Sequence, residues 1–293
     1  MSISRQNLSV IIVSFKSDHI IHRCINSIDN EIEIIVVDNS NNAEFKKYIE
    51  EKYKNVRCIL STNIGMGAGN NIGIRNTNKD FALVLNPDVI LDKNAINQII
   101  DASRTIDSFG VIAPTLDKIK YPNYKLDNKN NQKFDPIKPF KVKSVDGYSM
   151  LLNLKKLKQL IDFNFFDENF FLYLENDDFC KRLQLVNENI FVVPKSKIYH
   201  LGGQAVDPKY SKEIELARNW HWMWSKFYYN NKHYGYLNAT IKILRNLISA
   251  IIKFFFYSII FNNYKKKIYY MRLSGLINSM IGKKSFFRPK LDN

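Results

Sequence analysis

The chain of 293 residues carries 43 Lys/Arg against 28 Asp/Glu, a formal charge of +15, and is long enough for a large core built as one domain with an appendage. Its three cysteines, Cys24, Cys58 and Cys180, are scattered, which excludes a disulfide-stapled framework and a cysteine metal cluster and points to a reducing cytoplasm. No secretory leader is expected, because the first apolar run is short and has no cleavage signal.

Residues 8–13 (LSVIIV) and 32–37 (IEIIVV) are short, β-branched and almost wholly apolar, the pattern of strands buried on both faces. Two further runs of this kind are 56–60 and 81–85. Helical spacing is predicted between them, over 20–28, 43–53 and 70–76. Such alternation implies a mostly parallel sheet flanked by helices, an α/β fold. In such sheets ligands bind outside the carboxyl ends of the strands. Those ends carry Ser14, Asp38, Asn63 and Asp88.

Two ends have more specific chemistry. The segment from Asn63 through Gly65 to Asn71 and Gly73 is glycine-rich at a strand-to-helix junction, where backbone N–H groups can approach a diphosphate or sugar. It does not follow the first strand, so it is not the dinucleotide fingerprint. In Asn86-Pro87-Asp88, proline fixes the angle at which Asp88 leaves the strand. One carboxylate plus an amide or water is how Mg²⁺ is held beside a substrate phosphate, while an ordinary Asn-Pro-Asp turn is the alternative.

Residues 121–143 are polar, contain prolines and lack a period, so a long flexible loop is expected there. Farther on, Glu175, Asp177 and Asp178 follow directly on the aromatic-apolar run 170–174, and His200 precedes Gly202-Gly203 after the strand-like IFVVP. A carboxylate at the edge of a core is costly unless it binds a cation, pairs or does chemistry. The acids also suit a helix N-terminus, where Asn176 or Asp177 can cap while Glu175 points into a cleft.

These segments resemble the inverting nucleotide-sugar glycosyltransferases of the GT-A fold, within them the bacterial rhamnosyltransferase-like group of family 2. VIIVSFKS, VVDNS, NIGMGAGNNIGI, LNPDV, VDGYSMLL, FFDENFFLYLENDDFCKR and VVPKSKIYHLGG stand in the family's order, and SKFYY…KHYG also looks like that group. The resemblance spans roughly residues 8–235. It implies Ser14 beside the nucleotide, Asp38 on the base or ribose, and Asn63, Gly65 and Asn71 along the diphosphate-sugar path. It also implies Asn86-Pro87-Asp88 in the place of the metal-binding DXD motif, with Asp88 and His200 as ligands of Mg²⁺ or Mn²⁺, and the general base within residues 175–178. The donor would be a dTDP- or UDP-linked sugar, and the acceptor a glycan or lipid-linked hydroxyl. This chain departs from the family at Asn176, where a second acid is usual, and an amide cannot take a proton. Glu175 and Asp178 are then the candidates. Desolvation behind the apolar run would favour Glu175 as base, whereas the helix dipole would make Asp178 the weaker one, left to orient the acceptor. A nucleotidyltransferase of related architecture and a sugar-binding pseudoenzyme are the other readings.

The charge is uneven. Residues 231–293 hold 12 Lys/Arg and one acid, Asp292, against 31 and 27 in the first 230. A catalytic domain over 1–235 and a basic helical tail over 236–293 are therefore expected. In the tail, Lys242, Arg245, Asn246, Ser249 and Lys253 form one polar stripe among Ile, Leu and Phe. Its charges interrupt any clean apolar span. Either the helix lies in the interface of an anionic membrane, on the cytoplasmic face, or it packs on the catalytic domain with a solvated basic face. Nucleic acid is set aside, since no recognition motif accompanies the charge.

Overall fold

A computed structural model describes residues 2–117, 122–126, 135, 137–160 and 164–291. The chain forms two compact units, one of residues 1–167 and 176–207, the other of 168–175 and 208–293.

In the first unit the elements run β1 (Leu8–Ser14), α1 (Ile21–Ile25), β2 (Glu33–Asp38), α2 (Ala43–Lys52), β3 (Val56–Leu60), α3 (Met66–Arg75), β4 (Phe81–Leu85), β5 (Val89–Leu91), α4 (Ala95–Ser103) and β6 (Val111–Leu116). They continue through β7 (Tyr124–Lys125), β8 (Phe140–Lys141), β9 (Ser144–Val145), β10 (Ser149–Asn153) and α5 (Leu154–Leu157) to α6 (Glu175–Leu185) and β11 (Ile190–His200). Within the predicted loop, 124–125 form β7, which pairs with β9, and 140–141 form β8, which pairs with β11. Residues 121, 127–134 and 136 of that prediction lie outside the described residues.

The main sheet has the order β3-β2-β1-β4-β10-β6-β11-β5. Strands β1 to β4 are parallel, as their buried runs imply, and every residue of β1, Leu8 to Ser14, is buried. The far half is mixed: β10 runs antiparallel to β4 and β6, and β5 antiparallel to β11. Two apolar layers flank the sheet. One joins Ile12, Ile34 and Leu83 to Ile21, Phe45 and Ile99 of the helices, and the other joins Val84 and Met150 to Phe166 and Phe179.

Helix α3 starts earlier than the spacing predicts and absorbs most of the glycine-rich segment. The reason is packing. A Cβ on Gly73 would lie 2.3 Å from Ile11 Cγ2 on β1, so only glycine lets the helix come this close.

The second unit is three helices, α7 (Ser211–Tyr234), α8 (Tyr236–Ile259) and α9 (Asn263–Met280). Met223 and Phe227 of α7 close with Ala239 and Ile243 of α8 and Leu276 of α9 over one core. Trp220 and Trp224 make a second with Met271. His221 sits fully buried beside it, with Nε2–H donating to the Phe287 carbonyl and Nδ1 accepting from Ser285 Oγ, both at 2.9 Å. Burial drives its pKa down to about 3, with the Phe287 bond opposing and Arg288 assisting. The unfolded chain takes a proton below its ordinary value of 6.5 that the folded chain refuses until about 3. Stability is therefore fully present above 6.5 and falls as pH drops through that window, by up to about 1.4 kcal/mol per pH unit. We expect His221→Gln to be less stable at pH 7 and to lose less between pH 7 and 5 than the parent, read by urea denaturation. An equal acid loss in both proteins would contradict this.

Candidate active site

Parallel pairing puts the carboxyl ends of β1, β2, β3 and β4 along one rim. Ser14 stands in register with Asp38, and Asp38 with Leu60. Several buried polar atoms at this rim accept or donate no hydrogen bond among the described residues: Ser14 Oγ, Asn39 Oδ1, Asp88 Oδ1 and Ser149 Oγ. Buried polar groups are normally satisfied, so this rim is a candidate place for a polar ligand, although Ser9 Oγ and Asn70 Oδ1 away from the strand ends also lack a partner among the described residues. A cavity of about 570 Å³ near Phe81 and Lys156 lies at the opposite, amino end of β4 and lacks these features.

Asp38 is fully buried, and its two oxygens accept from the Ser40 N–H at 3.1 Å and the Asn42 N–H at 2.9 Å. Burial raises its pKa above the ordinary value against these two bonds. The carboxylate thus shapes its own turn and keeps lone pairs for a ligand donor. Asp38→Asn should weaken nucleoside-diphosphate affinity about tenfold, roughly 1.4 kcal/mol for one charge-assisted bond, as read by calorimetry. Unchanged affinity would remove Asp38 from the site. Asp38→Ala is the poorer test, since it strands both N–H groups.

The glycine segment divides. Gly65, at φ +102°, precedes α3 and is held through its carbonyl by Asn39 Nδ2 at 3.1 Å. Asn63 is half-buried just beyond β3. Asn71 faces elsewhere: its amide bonds both backbone groups of Phe166, at 2.8 and 3.0 Å, clamping α3 to the chain after α5.

The NPD turn lies where β4 ends. The Asn86 N–H donates to the Tyr148 carbonyl and its own carbonyl accepts from Val89. Antiparallel pairing of β5 with β11 then sets His200 opposite Val89, and the Leu201 N–H donates to the Asp88 carbonyl at 3.1 Å. His200 Nε2 comes 3.4 Å from Asp88 Oδ1, and Asp88 is 2% exposed. Residues 112 apart in sequence are therefore paired. A buried carboxylate oxygen beside an imidazole nitrogen suits a divalent cation that would take its remaining ligands from water and phosphate. Among the described residues no group of three or more His, Cys, Asp or Glu could hold a metal by itself.

Two neighbours were not singled out by sequence reasoning. The Tyr148 ring stacks on His200 at 4.1 Å, and its hydroxyl bonds Asp146. Burial, then the Asp177 carboxylate, hold Asp146 above its ordinary pKa, opposed by Lys125, Tyr148 and His200. The signal was available in VDGYSMLL, which carries both residues.

Helix α6 separates the acids. Asp178, fully buried, pairs with Arg182 Nε at 2.8 Å, and that guanidinium also holds the Asn164 and Phe165 carbonyls. Its charge is thus held in a structural pair. Asp177 pairs with Lys125 at 2.7 Å. The Asn176 amide donates to the Val145 carbonyl at 3.0 Å, which a carboxylate cannot do, and a Cβ on Gly147 would press within 3.0 Å of Asn176 Cβ. The departure from the family pattern at 176 therefore has a packing role.

Glu175 belongs to the second unit and is 8% exposed. Tyr173 and Leu174 before it both take left-handed conformations, φ +71° and +67°, which side chains of their size rarely adopt. Helix α7 holds this segment from the side. Ser225 Oγ donates to the Leu172 carbonyl, His221 stacks on Phe171, and Trp222 meets Tyr173 edge-on. Burial raises the Tyr173 pKa, with Arg218 opposing and the nearby Glu175 carboxylate adding to it.

Residues 9–162 match the family described as Glycosyl transferase family 2. The chain is similar to the low-salt glycan biosynthesis hexosyltransferase Agl10 of Haloferax volcanii, 29% identical over 201 residues, 63% of this chain and 64% of that protein. The chain thus spans under two thirds of that relative's length. It is also similar to the rhamnosyltransferase WbbL of Escherichia coli, 25% identical over 72% of this chain and 88% of the relative. Among solved structures, the mannosyltransferase PcManGT of Pyrobaculum calidifontis, in complex with GDP-Man and Mn²⁺, matches at a TM-score of 0.56 and 10% identity over 96% of this chain and 89% of its own. That likeness is one of fold, the GT-A arrangement.

Proposed function

Because the chain belongs to glycosyl transferase family 2, we propose that it is a metal-dependent inverting glycosyltransferase. It moves a hexose, rhamnose being the first to test, from a dTDP- or UDP-linked donor to a hydroxyl of a glycan or lipid-linked acceptor in cell-surface glycan synthesis. The observation that carries this reading is the buried Asp88 Oδ1, without a hydrogen bond among the described residues and 3.4 Å from His200 Nε2, at the carboxyl rim of the sheet's parallel half.

Asp88 and His200 would hold Mg²⁺ or Mn²⁺, whose chemistry is to offset the charge of a leaving diphosphate. Tyr148 fixes the His200 ring by stacking. Asp38 accepts from base or ribose, Ser14 lies beside it, and Asn63, Gly65 and Asn86 line the path of the diphosphate-sugar, with Asn71 keeping α3 in place. Glu175 takes the proton of the acceptor hydroxyl as its oxygen bonds the anomeric carbon. The bond to the diphosphate breaks on the opposite face, its electron pair leaves with the diphosphate, and the configuration inverts. Asp178 keeps the head of α6 in position through Arg182.

Catalysis is assigned to residues 1–235. The basic tail, 236–293, places the enzyme peripherally on the cytoplasmic face of the cell membrane, where a lipid-linked acceptor lies. No helix among the described residues is long and apolar enough to cross a membrane.

A panel of nucleotide sugars, with release of nucleoside diphosphate followed with and without Mn²⁺, tests the reading. Metal-dependent turnover of one dTDP- or UDP-sugar is expected. Binding without turnover of any donor, with acceptor supplied, would favour a sugar-binding pseudoenzyme.

A further inference from the structure

Helix α8 is buried on one side only. Ala239, Ile243 and Ala250 are its buried residues, and Ala239 and Ile243 face the core with α7 and α9. Leu237, Ile241, Leu244, Ile248, Ile252 and Phe255 recur at three- and four-residue steps and so share another face. Their exposures are 78%, 71%, 49%, 48%, 61% and 61%. The stripe continues into the turn before α9, where Ile259, Ile260 and Phe261 are 74%, 49% and 86% exposed. Phe261 has φ +55°, a conformation rare for a bulky residue, and it projects at the tip of the α8–α9 hairpin. From Leu237 to Ile259 the apolar face is roughly 33 Å long, beyond what a monomer in water ordinarily leaves uncovered.

The charges on α8 itself, Lys242, Arg245 and Lys253, have one sign, while Glu215 of α7 accepts from Tyr264 at the start of α9. A groove of about 530 Å³ runs along α8, with Ile241, Leu244, Ile248 and Ile252 on its wall beside Arg245 and Lys253. Just past the tip come Lys265, Lys266 and Lys267, of which 265 and 267 are exposed. From 231 to 291 the sequence contains no Asp or Glu. A second copy packed with its α8 on this α8 would bring cations against cations, since neither helix carries an acid. An anionic bilayer supplies both partners at once, acyl chains for the stripe and phosphates for the cations.

We propose that α8 lies in the headgroup–acyl boundary of an anionic lipid bilayer, stripe inward, with Ile260 and Phe261 entering deepest and Arg245, Lys253, Lys265 and Lys267 at lipid phosphates. The proposal rests on the membrane location given under the proposed function and names the surface that produces it. Long basic side chains suit this arrangement, since their stems lie on apolar surface while the heads reach the phosphates.

The test uses the full chain and flotation with phosphatidylcholine vesicles, with or without phosphatidylglycerol. Nucleoside-diphosphate affinity is measured on the same preparations. The parent should float with phosphatidylglycerol vesicles, and about tenfold less in their absence or at high salt. The double variant Ile260→Asp/Phe261→Asp, and separately Lys265→Glu/Lys267→Glu, should each lower recovery about tenfold with nucleotide affinity unchanged. The native cysteines are all buried, so an environment-sensitive dye on Phe261→Cys reports that position alone. Its emission should shift blue on vesicles, and that of the same dye on Lys47→Cys should not.

Parent protein that binds nucleotide but does not float overturns the proposal and leaves the glycosyltransferase reading standing. Flotation without nucleotide binding does the reverse. Flotation that survives both double variants with no dye shift moves the contact to another surface. A concentration-dependent dimer without vesicles, lost in the Ile260→Asp/Phe261→Asp variant, gives the face to a second copy.

Discussion

Asp88→Asn should lower sugar transfer at least about a hundredfold, a loss of roughly 2.7 kcal/mol of transition-state stabilisation, while the protein folds as well as the parent. The two halves of this expectation have separate causes. Asp88 is buried, Oδ1 accepts no hydrogen bond among the described residues, and His200 Nε2 stands 3.4 Å away without bonding it, so an amide of the same shape fits the same space at a lower burial cost and should leave the thermal midpoint unchanged or raised. The same change takes away the carboxylate that, with His200, makes the donor pair for a cation. Mn²⁺ in the presence of nucleoside diphosphate should therefore raise the melting temperature of the parent and not that of the variant. Near-normal turnover by Asp88→Asn would remove the NPD turn from the site. Full activity of the parent in excess chelator would make the enzyme metal-independent.

Glu175→Gln should lose about a hundred- to ten-thousandfold in transfer, the range for removing a general base, with donor affinity unchanged. The side chain is 8% exposed and held by a segment that α7 braces through Ser225, His221 and Trp222, so the neutral isostere fits the same space. Asp178→Asn is expected to behave differently. It breaks a fully buried ion pair whose arginine also holds two backbone carbonyls, and removing one partner of such a pair typically costs about 3 kcal/mol of stability or more. Loss of fold should thus precede any selective loss of transfer. A folded but inactive Asp178→Asn beside a near-normal Glu175→Gln would exchange the two assignments.

The parallel half of the sheet was legible because burial on both faces leaves a direct mark: LSVIIV and FALVL have no polar face to offer water. Their polar ends follow from the same logic, and Ser14 and Asp38 do meet in register. The mixed half was not legible. Tyr124–Lys125 and Phe140–Lys141 are two-residue strands, too short to carry a period, and they pair only because β9 and β11 present free edges. The early start of helix α3, at Met66, was not legible for a similar reason. Glycine reads as a turn former in isolation, whereas Gly73 here is dictated by the distance to Ile11 across the helix–sheet contact.

Side-chain commitments were the least visible. Nothing in the spacing tells that the Asn71 amide is taken by Phe166, or that Arg182 holds the Asp178 charge. Asp88 and His200 came together on family resemblance, and the physical cause is the antiparallel β5–β11 pairing, which no local pattern encodes. Asp146 and Tyr148 stood in a segment already noticed, but a stacking partner for His200 emerges only from the register of β10 against β4.

Crystals grown with Mn²⁺ and a nucleoside diphosphate, measured at the manganese edge, test the central claim most directly. One anomalous peak is expected, bonded by Asp88, by His200 and by the diphosphate. A diphosphate bound at the rim with the manganese elsewhere, or with no manganese at all, would contradict it.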